Sequence, residues 1–251
     1  MIKFRNIRSN NLIGKFIRLP LSMIPKTLVF PILQGSAKGM KWIVGSGVHG
    51  MWLGSYETDK QNYLASLDTK GTTVLDIGAN VGFFSVLFSR LVGKHGHVHA
   101  FEPLPQNVGF LNQHIDLNQL DNISVHQNAV GKLVGIAKFD RSDSHFKSGL
   151  SESGDLDVQV VTLDSLDNLD EPVSLLKIDV EGAEDDVLQG GKYFFQVHHP
   201  LILLATHSEE KMNNCKEILD SYDYSLTLMS RDLYGSGCDE WIAISRNHLN
   251  S

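Results

Sequence analysis

Residues 72–82 read TTVLDIGANVG, and this stretch decides the fold class of the chain. Its apolar run is typical of a buried strand, and Gly78 and Gly82 permit a tight turn into the helix pattern of residues 81–93. Six further strand patterns follow, at residues 96–103, 122–130, 173–179, 200–206, 224–229 and 240–245, with further helix patterns at 106–118 and 209–222. Strands that alternate with helices and are apolar almost throughout predict an α/β fold, in which helices cover both faces of a mostly parallel sheet.

Composition narrows the possible classes of protein. The chain has 251 residues, 42% of them hydrophobic, which suffices for one core and one domain with additions. No run approaches the roughly eighteen consecutive apolar residues of a membrane span, and the start of the sequence lacks the continuous apolar segment of a secretory signal. Cys215 and Cys238 are too few for a disulfide framework and lack metal-site spacing, so we expect a cytoplasmic protein.

Charge is distributed unevenly along the chain. Residues 1–56 contain eight basic and no acidic residues, whereas residues 57–251 contain 14 basic and 29 acidic ones. We therefore predict a basic N-terminal extension or lid at 1–56 and a main domain at 57–251, with an inserted polar loop at 140–158. Apolar residues at helical spacing between 12 and 19 leave two interpretations open. The segment either packs on the acidic main domain, or residues 1–41 make a peripheral contact with an anionic inner membrane face or bind an acidic substrate.

Side chains at the carboxyl ends of the first three strands predict a nucleoside site, because open α/β sheets bind ligands at that edge. The first strand carries Asp76 just before the glycine turn. The second ends at Glu102, twenty residues after Gly82, which is the distance at which an acidic side chain reaches the hydroxyls of a ribose. The third ends at Asn128, whose amide can pair with an adenine edge.

Asn80 distinguishes between the possible nucleosides. A dinucleotide site has glycine at this position, where the pyrophosphate passes close to the backbone, and Asn80 would crowd it. S-adenosylmethionine (SAM), with adenosine at one end and an amino acid at the other, suits the site better than NAD. An NAD-dependent oxidoreductase and a non-catalytic nucleoside-binding protein remain the alternatives, and nothing in the pattern indicates a nucleic-acid partner.

The stretch LLKIDVEGAEDDVLQGG, residues 175–191, places five carboxylates directly after an apolar strand. Asp179 ends that strand beside Asp76, so we expect it to face the reacting groups, and Glu181 lies within the turn that follows. The other three fall in the first turn of a helix, where carboxylates interact favourably with the helix dipole; they are Glu184, Asp185 and Asp186.

Three residues are candidates for orienting a substrate hydroxyl or removing its proton: Asp179, Glu181 and His207. His207 follows the fifth strand, and a neutral histidine titrates in the range that a general base needs. A divalent cation could instead lower the pKa of the hydroxyl. No set of residues with metal-ligand spacing surrounds Asp179, so we expect no obligatory metal.

Several motifs together resemble the FkbM family of SAM-dependent methyltransferases: VLDIGANVGFF, HAFEPLPQN, NAVG, TLDSL and LLKIDVEGAEDDVLQGG. The resemblance implies the class I methyltransferase fold, with seven strands of which the last is antiparallel. It also implies SAM as cofactor and methyl transfer to oxygen, on a hydroxyl of a polyketide or other secondary metabolite, a sugar or a glycolipid.

The same resemblance assigns positions in the site. The first cofactor motif is matched by Asp76, Gly78, Asn80 and Gly82. Glu102 matches the ribose-binding acid and Asn128 the position beside the adenine. The chain departs from the family near the end of the fifth strand, where many members carry glutamate and this sequence reads Ala205-Thr206-His207.

Overall fold

The structure, a computed structural model, describes residues 24–139, 156–166, 169, 172–231 and 238–249. Twelve strands lie in this part of the chain: β1 (Val29–Pro31), β2 (Lys41–Ile43), β3 (Thr73–Ile77), β4 (His97–Phe101), β5 (Ile123–His126), β6 (Ala129–Val130), β7 (Gly135–Phe139), β8 (Leu156–Val161), β9 (Val173–Ile178), β10 (Leu201–Thr206), β11 (Tyr224–Ser230) and β12 (Asp239–Ser245). The helices of the same part are α1 (His49–Leu53), α2 (Thr58–Ser66), α3 (Phe83–Val92), α4 (Pro105–Asn118), α5 (Glu184–Gln189), α6 (Lys192–His198), α7 (Glu209–Ser221) and α8 (Arg246–Leu249).

Seven strands form the central sheet, in the order β11-β12-β10-β9-β3-β4-β5. All neighbouring pairs from β10 to β5 are parallel, and β12 runs antiparallel to both β10 and β11. The predicted α/β class and the mostly parallel seven-stranded sheet are therefore confirmed. From β3 the chain moves outward through β4 to β5 and later returns to β9 on the other side of β3, so the strand order reverses between β3 and β9. Such a reversal opens the crevice in which α/β sheets bind ligands.

The apolar strands are buried because helices cover both faces of the sheet. In β3 the side chain of Val74 belongs to one hydrophobic cluster and that of Leu75 to a second one on the opposite face. Val86 and Leu87 of α3 contribute to the first cluster, and helices α5 to α7 contribute to the second. Burial on both faces accounts for the continuous apolar character of the strand patterns.

Residues 24–56 pack on the sheet domain. Trp42 is fully buried, stacks on the ring of His114 at 3.6 Å between ring centroids and meets the ring of Phe83 edge-on at 5.7 Å. Both Trp42 and Phe83 belong to the same hydrophobic cluster as α3, so the described part of the basic segment shares the core of the main domain. The apolar residues between 12 and 19 lie outside the described residues.

A three-stranded sheet, in the order β6-β8-β7, lies beside the central one. The predicted polar loop at 140–158 is wrong for residues 156–158, because these begin β8 and pair antiparallel with β7. The physical reason is the alternation of polar and apolar residues in LDVQVV, which gives the strand one buried face at Val158. Residues 140–155 lie outside the described residues. No helix in the described part of the chain has the length and apolar composition needed to cross a membrane.

Candidate active site

A cavity of about 270 Å³ opens at the carboxyl ends of β3, β4 and β9, where the strand order reverses. Six residues that the sequence predicts for the site line it: Gly78, Asn80, Glu102, Asn128, Asp179 and Glu181. Three other predicted residues are not among the lining residues: Asp76, Gly82 and His207. Helix α1 and the residues on either side of it close one wall through Val48, Met51 and Tyr56.

The glycine turn after β3 holds two strand ends together. Gly78 has a positive φ of 76°, and a Cβ atom there would lie 2.0 Å from the carbonyl oxygen of Asp179. Only glycine permits this approach, so the ends of β3 and β9 meet at the cavity wall. Gly82 is the N-cap residue of α3 and has a positive φ of 89°, as the predicted turn requires, and a Cβ atom there would also lie 2.3 Å from Cδ1 of Leu111. It permits α4 to pack closely against the turn.

Glu102, at the end of β4, is 5% exposed and already accepts three hydrogen bonds from the protein. The donors are the backbone N–H of Asn80 at 2.8 Å, the backbone N–H of Leu104 at 3.0 Å and the side-chain amide of Asn107 at 3.1 Å. Burial raises the pKa of Glu102, although these hydrogen bonds act against the shift. Because a carboxylate offers about four acceptor positions, one position is left that could accept a hydroxyl of a bound molecule.

Asn107 supports the assignment of a ligand to this end of the cavity. Its side chain is 2% exposed, and its Oδ1 atom has no hydrogen-bond partner among the described residues. A buried amide oxygen without a partner is unfavourable by about 1–3 kcal/mol. Asn107 lines the cavity, so a hydroxyl or amino group of a bound molecule could satisfy it. Beyond it, Asn128 lies between β5 and β6 and Phe139 adds an apolar wall that suits a flat base.

The opposite side of the cavity is built on a buried lysine that the sequence analysis did not select. Lys177 of β9 is 3% exposed, and its Nζ lies 3.1 Å from Oδ1 of Asp76 and 3.6 Å from Oδ2 of Asp179. Asp76 also accepts a hydrogen bond of 2.7 Å from the hydroxyl of Ser85. The prediction that Asp76 contacts the cofactor is therefore corrected. The side chain of Asp76 faces the interior and acts on the cavity through Lys177.

Asp179 is held in its ionised form. Burial opposes its charge, but Lys177, Lys60 and His207 hold the pKa of the Asp179 carboxyl below its usual range. Burial likewise opposes the charge of Lys177, yet Asp76 and Asp179 raise its pKa. A carboxylate with a lowered pKa is a weak general base, but it accepts hydrogen bonds strongly.

A second buried lysine, Lys60, joins helix α2 to strand β12 near the far end of the chain. Nζ of Lys60, which is 2% exposed, lies 2.7 Å from a carboxylate oxygen of Glu57 and 2.7 Å from one of Glu240 on β12. Burial raises the pKa of Glu240 to about 7, although Lys60 acts against the shift. Burial also raises the pKa of Tyr56, and the charge of Glu57 and a hydrogen bond to its side chain add to this, so Tyr56 lines the cavity as a protonated phenol.

His207 is a cation rather than a neutral base. Its Nδ1 lies 2.5 Å from Oε1 of Glu184, and its Nε2 lies 3.9 Å from Oδ1 of Asp179. Burial lowers the pKa of His207, but hydrogen bonds to Cys238 and Glu184 and the charge of Asp179 raise it to about 11. This corrects the interpretation of His207 as a base that is neutral near pH 7. The imidazolium instead supports the ionised state of Asp179.

The carboxylates of α5 make specific contacts as well as lying near the helix N-terminus. Glu184 is fully buried and accepts a hydrogen bond of 3.0 Å from the backbone N–H of Gly182 in addition to its contact with His207. Asp185 contacts the ammonium of Lys211 at 2.5 Å and the amide of Asn214 at 2.9 Å. These contacts fix the turn that carries Glu181, whose φ of 33° is unusual for a residue other than glycine.

Of the site residues that the sequence analysis missed, only Lys177 carries a signal in the sequence. Lys177 interrupts the apolar run LLKI, and a lysine within a strand that is buried on both faces requires a buried anionic partner. No comparable local signal marks Lys60 or Glu240, which are far apart in the sequence. Within the described ranges, His, Cys, Asp and Glu side chains do not gather in threes as a metal site would require.

Comparison with known proteins agrees with this geometry. Residues 76–230 match the family model described as the methyltransferase FkbM domain. The curated relative "Methyltransferase 1" of Beauveria bassiana (strain ARSEF 2860) is 27% identical over 144 residues, which cover 47% of this chain and 57% of the relative. The chain thus spans a little over half the length of this relative.

Solved structures share the fold at low identity. The methyltransferase FkbM of Methylobacillus flagellatus KT is 20% identical, with 71% of this chain and 45% of that chain covered and a TM-score of 0.53. The structure of a Streptococcus mutans protein assigned as a methyltransferase contains S-adenosylhomocysteine (SAH). That protein is 9% identical, with 73% of this chain and 93% of that chain covered and a TM-score of 0.50. The matched family model covers more than half of the chain. The chain therefore belongs to the FkbM methyltransferase family.

Proposed function

We propose that the protein transfers a methyl group from SAM to a hydroxyl oxygen of a sugar, a glycolipid or a secondary metabolite, which leaves S-adenosylhomocysteine and releases the hydroxyl proton to water. One observation carries the proposal. A single cavity joins a nucleoside-binding side, with Glu102, Asn107 and Asn128, to a charged side with Lys177 and Asp179. The two sides lie on either side of β3, at the reversal of strand order.

The nucleoside side would hold the cofactor through groups that the protein has already positioned. Glu102 is fixed by its three internal hydrogen bonds and would accept a ribose hydroxyl at its remaining acceptor position. Asn107 would use its unpaired Oδ1, and Asn128 would pair with the adenine edge. When bound, SAM supplies a methyl group that its sulfonium has already activated.

The charged side would orient the acceptor. Asp179, which Lys177 keeps ionised, would accept a hydrogen bond from the acceptor hydroxyl and so direct its oxygen into the cavity. Tyr56 lines the same cavity as a protonated phenol, and its oxygen can accept a hydrogen bond from a second hydroxyl of a sugar or similar acceptor. Orientation is a large part of the catalytic effect in such a reaction, because a well-placed nucleophile avoids most of the entropic barrier.

The charge of the site favours a small or glycan acceptor over a nucleic acid. Lys60 and Lys177 are each paired with two carboxylates, so these buried cations are neutralised rather than available to phosphates. We also propose that the protein acts in the cytoplasm, since Cys215 and Cys238 carry free thiols.

Calorimetry tests the cofactor, and a methyl-transfer assay tests the reaction. SAM and its demethylated product, S-adenosylhomocysteine, should bind in a one-to-one ratio, whereas NAD should not. Labelled SAM with a panel of sugar, glycolipid and polyketide acceptors should then yield an ether product. Binding of NAD alone would favour the oxidoreductase alternative. Binding of SAM without transfer to any hydroxyl, but with transfer to nitrogen or carbon acceptors, would contradict the proposed chemistry.

A further inference from the structure

A surface beside the cavity combines exposed apolar and basic side chains, and the proposed reaction does not use it. Its apolar members are between 38% and 45% exposed: Leu28, Val29, Phe30, Leu33 and Val48. Three exposed lysines belong to the same segment: Lys26, Lys38 and Lys41. We call these eight residues the docking face.

Trp52 of α1 connects the apolar members of the docking face. The ring of Phe30 meets the ring of Trp52 edge-on at 6.0 Å between centroids. The backbone N–H of Leu33 donates a hydrogen bond of 3.1 Å to the carbonyl of Trp52, and Val48 is the N-cap residue of α1. Lys41 lies opposite Pro31 in the β1–β2 ladder, so its side chain shares a face of the ladder with Pro31 and Val29, whereas Phe30 lies on the other face. Lys26 lines a shallow groove together with Val29. Apolar side chains therefore lie on both faces of β1, with basic side chains beside one of them.

Strand β1, which carries two members of the docking face, is exposed along its whole length. All three residues of β1 are exposed, whereas Trp42 and Ile43 of its partner β2 are buried against the sheet domain. Side chains on both faces of β1 are consequently accessible. In an aqueous environment such apolar exposure beside a functional cavity is typical of a docking surface.

We propose that the docking face binds the surface of an anionic lipid bilayer. Charge complementarity supports this partner, because no acidic residue occurs in residues 1–56, while residues 57–251 carry 29 acidic against 14 basic residues. An anionic surface would attract the first part of the chain and repel the second, which orients the domain on the bilayer. Exposed apolar side chains such as Phe30 and Leu33 would then enter the headgroup region.

The orientation has a consequence for the cavity. Val48 belongs to the docking face and also lines the cavity, so the opening beside α1 would face the lipid surface. An acceptor dissolved in or anchored to the bilayer would reach the site from that side. This last point depends on the proposed methyl transfer, whereas binding to the bilayer does not.

Vesicle co-sedimentation of the full chain tests the proposal without cofactor or acceptor. We expect binding to vesicles of equal parts phosphatidylglycerol and phosphatidylcholine, weak binding to pure phosphatidylcholine, and release as salt rises through the range in which screening sets in. The double variant F30E/L33E should bind at least about tenfold more weakly. Its matched control is Y193E/V197E, which adds the same charge at exposed apolar positions of α6.

Both double variants should keep the circular-dichroism spectrum and the unfolding temperature of the wild type, which shows that each is folded. Equal vesicle binding by wild type and F30E/L33E would overturn the proposal. A second pair of results would also overturn the proposal. If deletion of residues 1–23 abolishes vesicle binding while F30E/L33E binds normally, the terminal segment alone is the membrane anchor. A third result would replace the bilayer by a second copy of the chain as the partner. In that case the wild type does not bind lipid, and sedimentation velocity shows a dimer for the wild type and a monomer for F30E/L33E.

Discussion

The ammonium group of Lys177 lies 3.6 Å from Oδ2 of Asp179 at the carboxyl edge of the sheet. Because the lysine is 3% exposed, its charge is little screened by water and favours the ionised carboxylate. Asp179 is thus suited to orient a hydroxyl group through a strong hydrogen bond rather than to store its proton. A substitution that removes the charge of Asp179 but keeps its shape therefore distinguishes a role in orienting the hydroxyl from a role in packing.

Asp179→Asn should lower turnover by about a hundredfold or more, because the amide lacks the negative charge and carries an NH2 donor in place of one of the two acceptor oxygens that orient the hydroxyl. The Kd for SAM should change much less, because this residue lies on the other side of β3 from the nucleoside contacts. Single-turnover kinetics and calorimetry measure the two effects. Asp186→Asn, the same chemical change in α5 away from the cavity, is the control, and equal activity of the two variants would refute the assignment.

Glu102→Gln should weaken SAM binding at least about tenfold, since the new amide group would face N–H donors and the charge-assisted bonds to the ribose would be lost. The side chain keeps its size, but its NH2 group leaves a buried N–H donor without an acceptor, so the thermal unfolding temperature should fall by several degrees while the protein still folds. Calorimetric titration of the variant with SAM gives the result directly. An unchanged Kd would show that Glu102 serves only the internal hydrogen bonds of the turn.

His207→Gln should change how stability depends on pH. The folded-state pKa of His207 is raised to about 11, above its ordinary value of about 6.5, so its stabilising contribution is fully present below pH 6.5 and is lost as pH rises towards 11. The wild type should therefore lose more stability between pH 6.5 and pH 9 than the variant. Thermal unfolding at several pH values measures the difference, and parallel curves for the two proteins would contradict the ion pair with Glu184.

Gly78→Ala should be far more destabilising than Gly39→Ala. Both glycines have a positive φ, of 76° and 87°, so each substitution is unfavourable by about 1–2 kcal/mol from backbone strain. At Gly39 the new methyl group meets no atom within 4 Å, whereas at Gly78 it would lie 2.0 Å from the carbonyl oxygen of Asp179. We expect a total loss of at least about 3 kcal/mol at Gly78. Chemical denaturation compares the pair, and similar losses would show that the strand ends can separate easily.

Features encoded by adjacent residues could be predicted from the sequence. The glycine turn at Gly78, the acid at Glu102 and the amide at Asn128 each follow a strand pattern, and all three line the cavity. The direction of Asp76 could not be predicted, because a strand that is buried on both faces lacks the alternation that distinguishes its two sides. The contact between Lys60 and Glu240 could not be predicted from the sequence either, since it depends on where β12 inserts into the sheet.

The position of β12 has a consequence for synthesis of the protein on the ribosome. β12 follows β11 in the chain but lies between β10 and β11 in the sheet, so β11 has no partner in the central sheet until residues 239–245 emerge. Until then the apolar β10 presents an open edge, which is the kind of surface through which nascent chains associate wrongly. A chain cut before residue 239 would retain every strand of the nucleoside side, yet it would leave β10 with an open edge and Lys60 without Glu240.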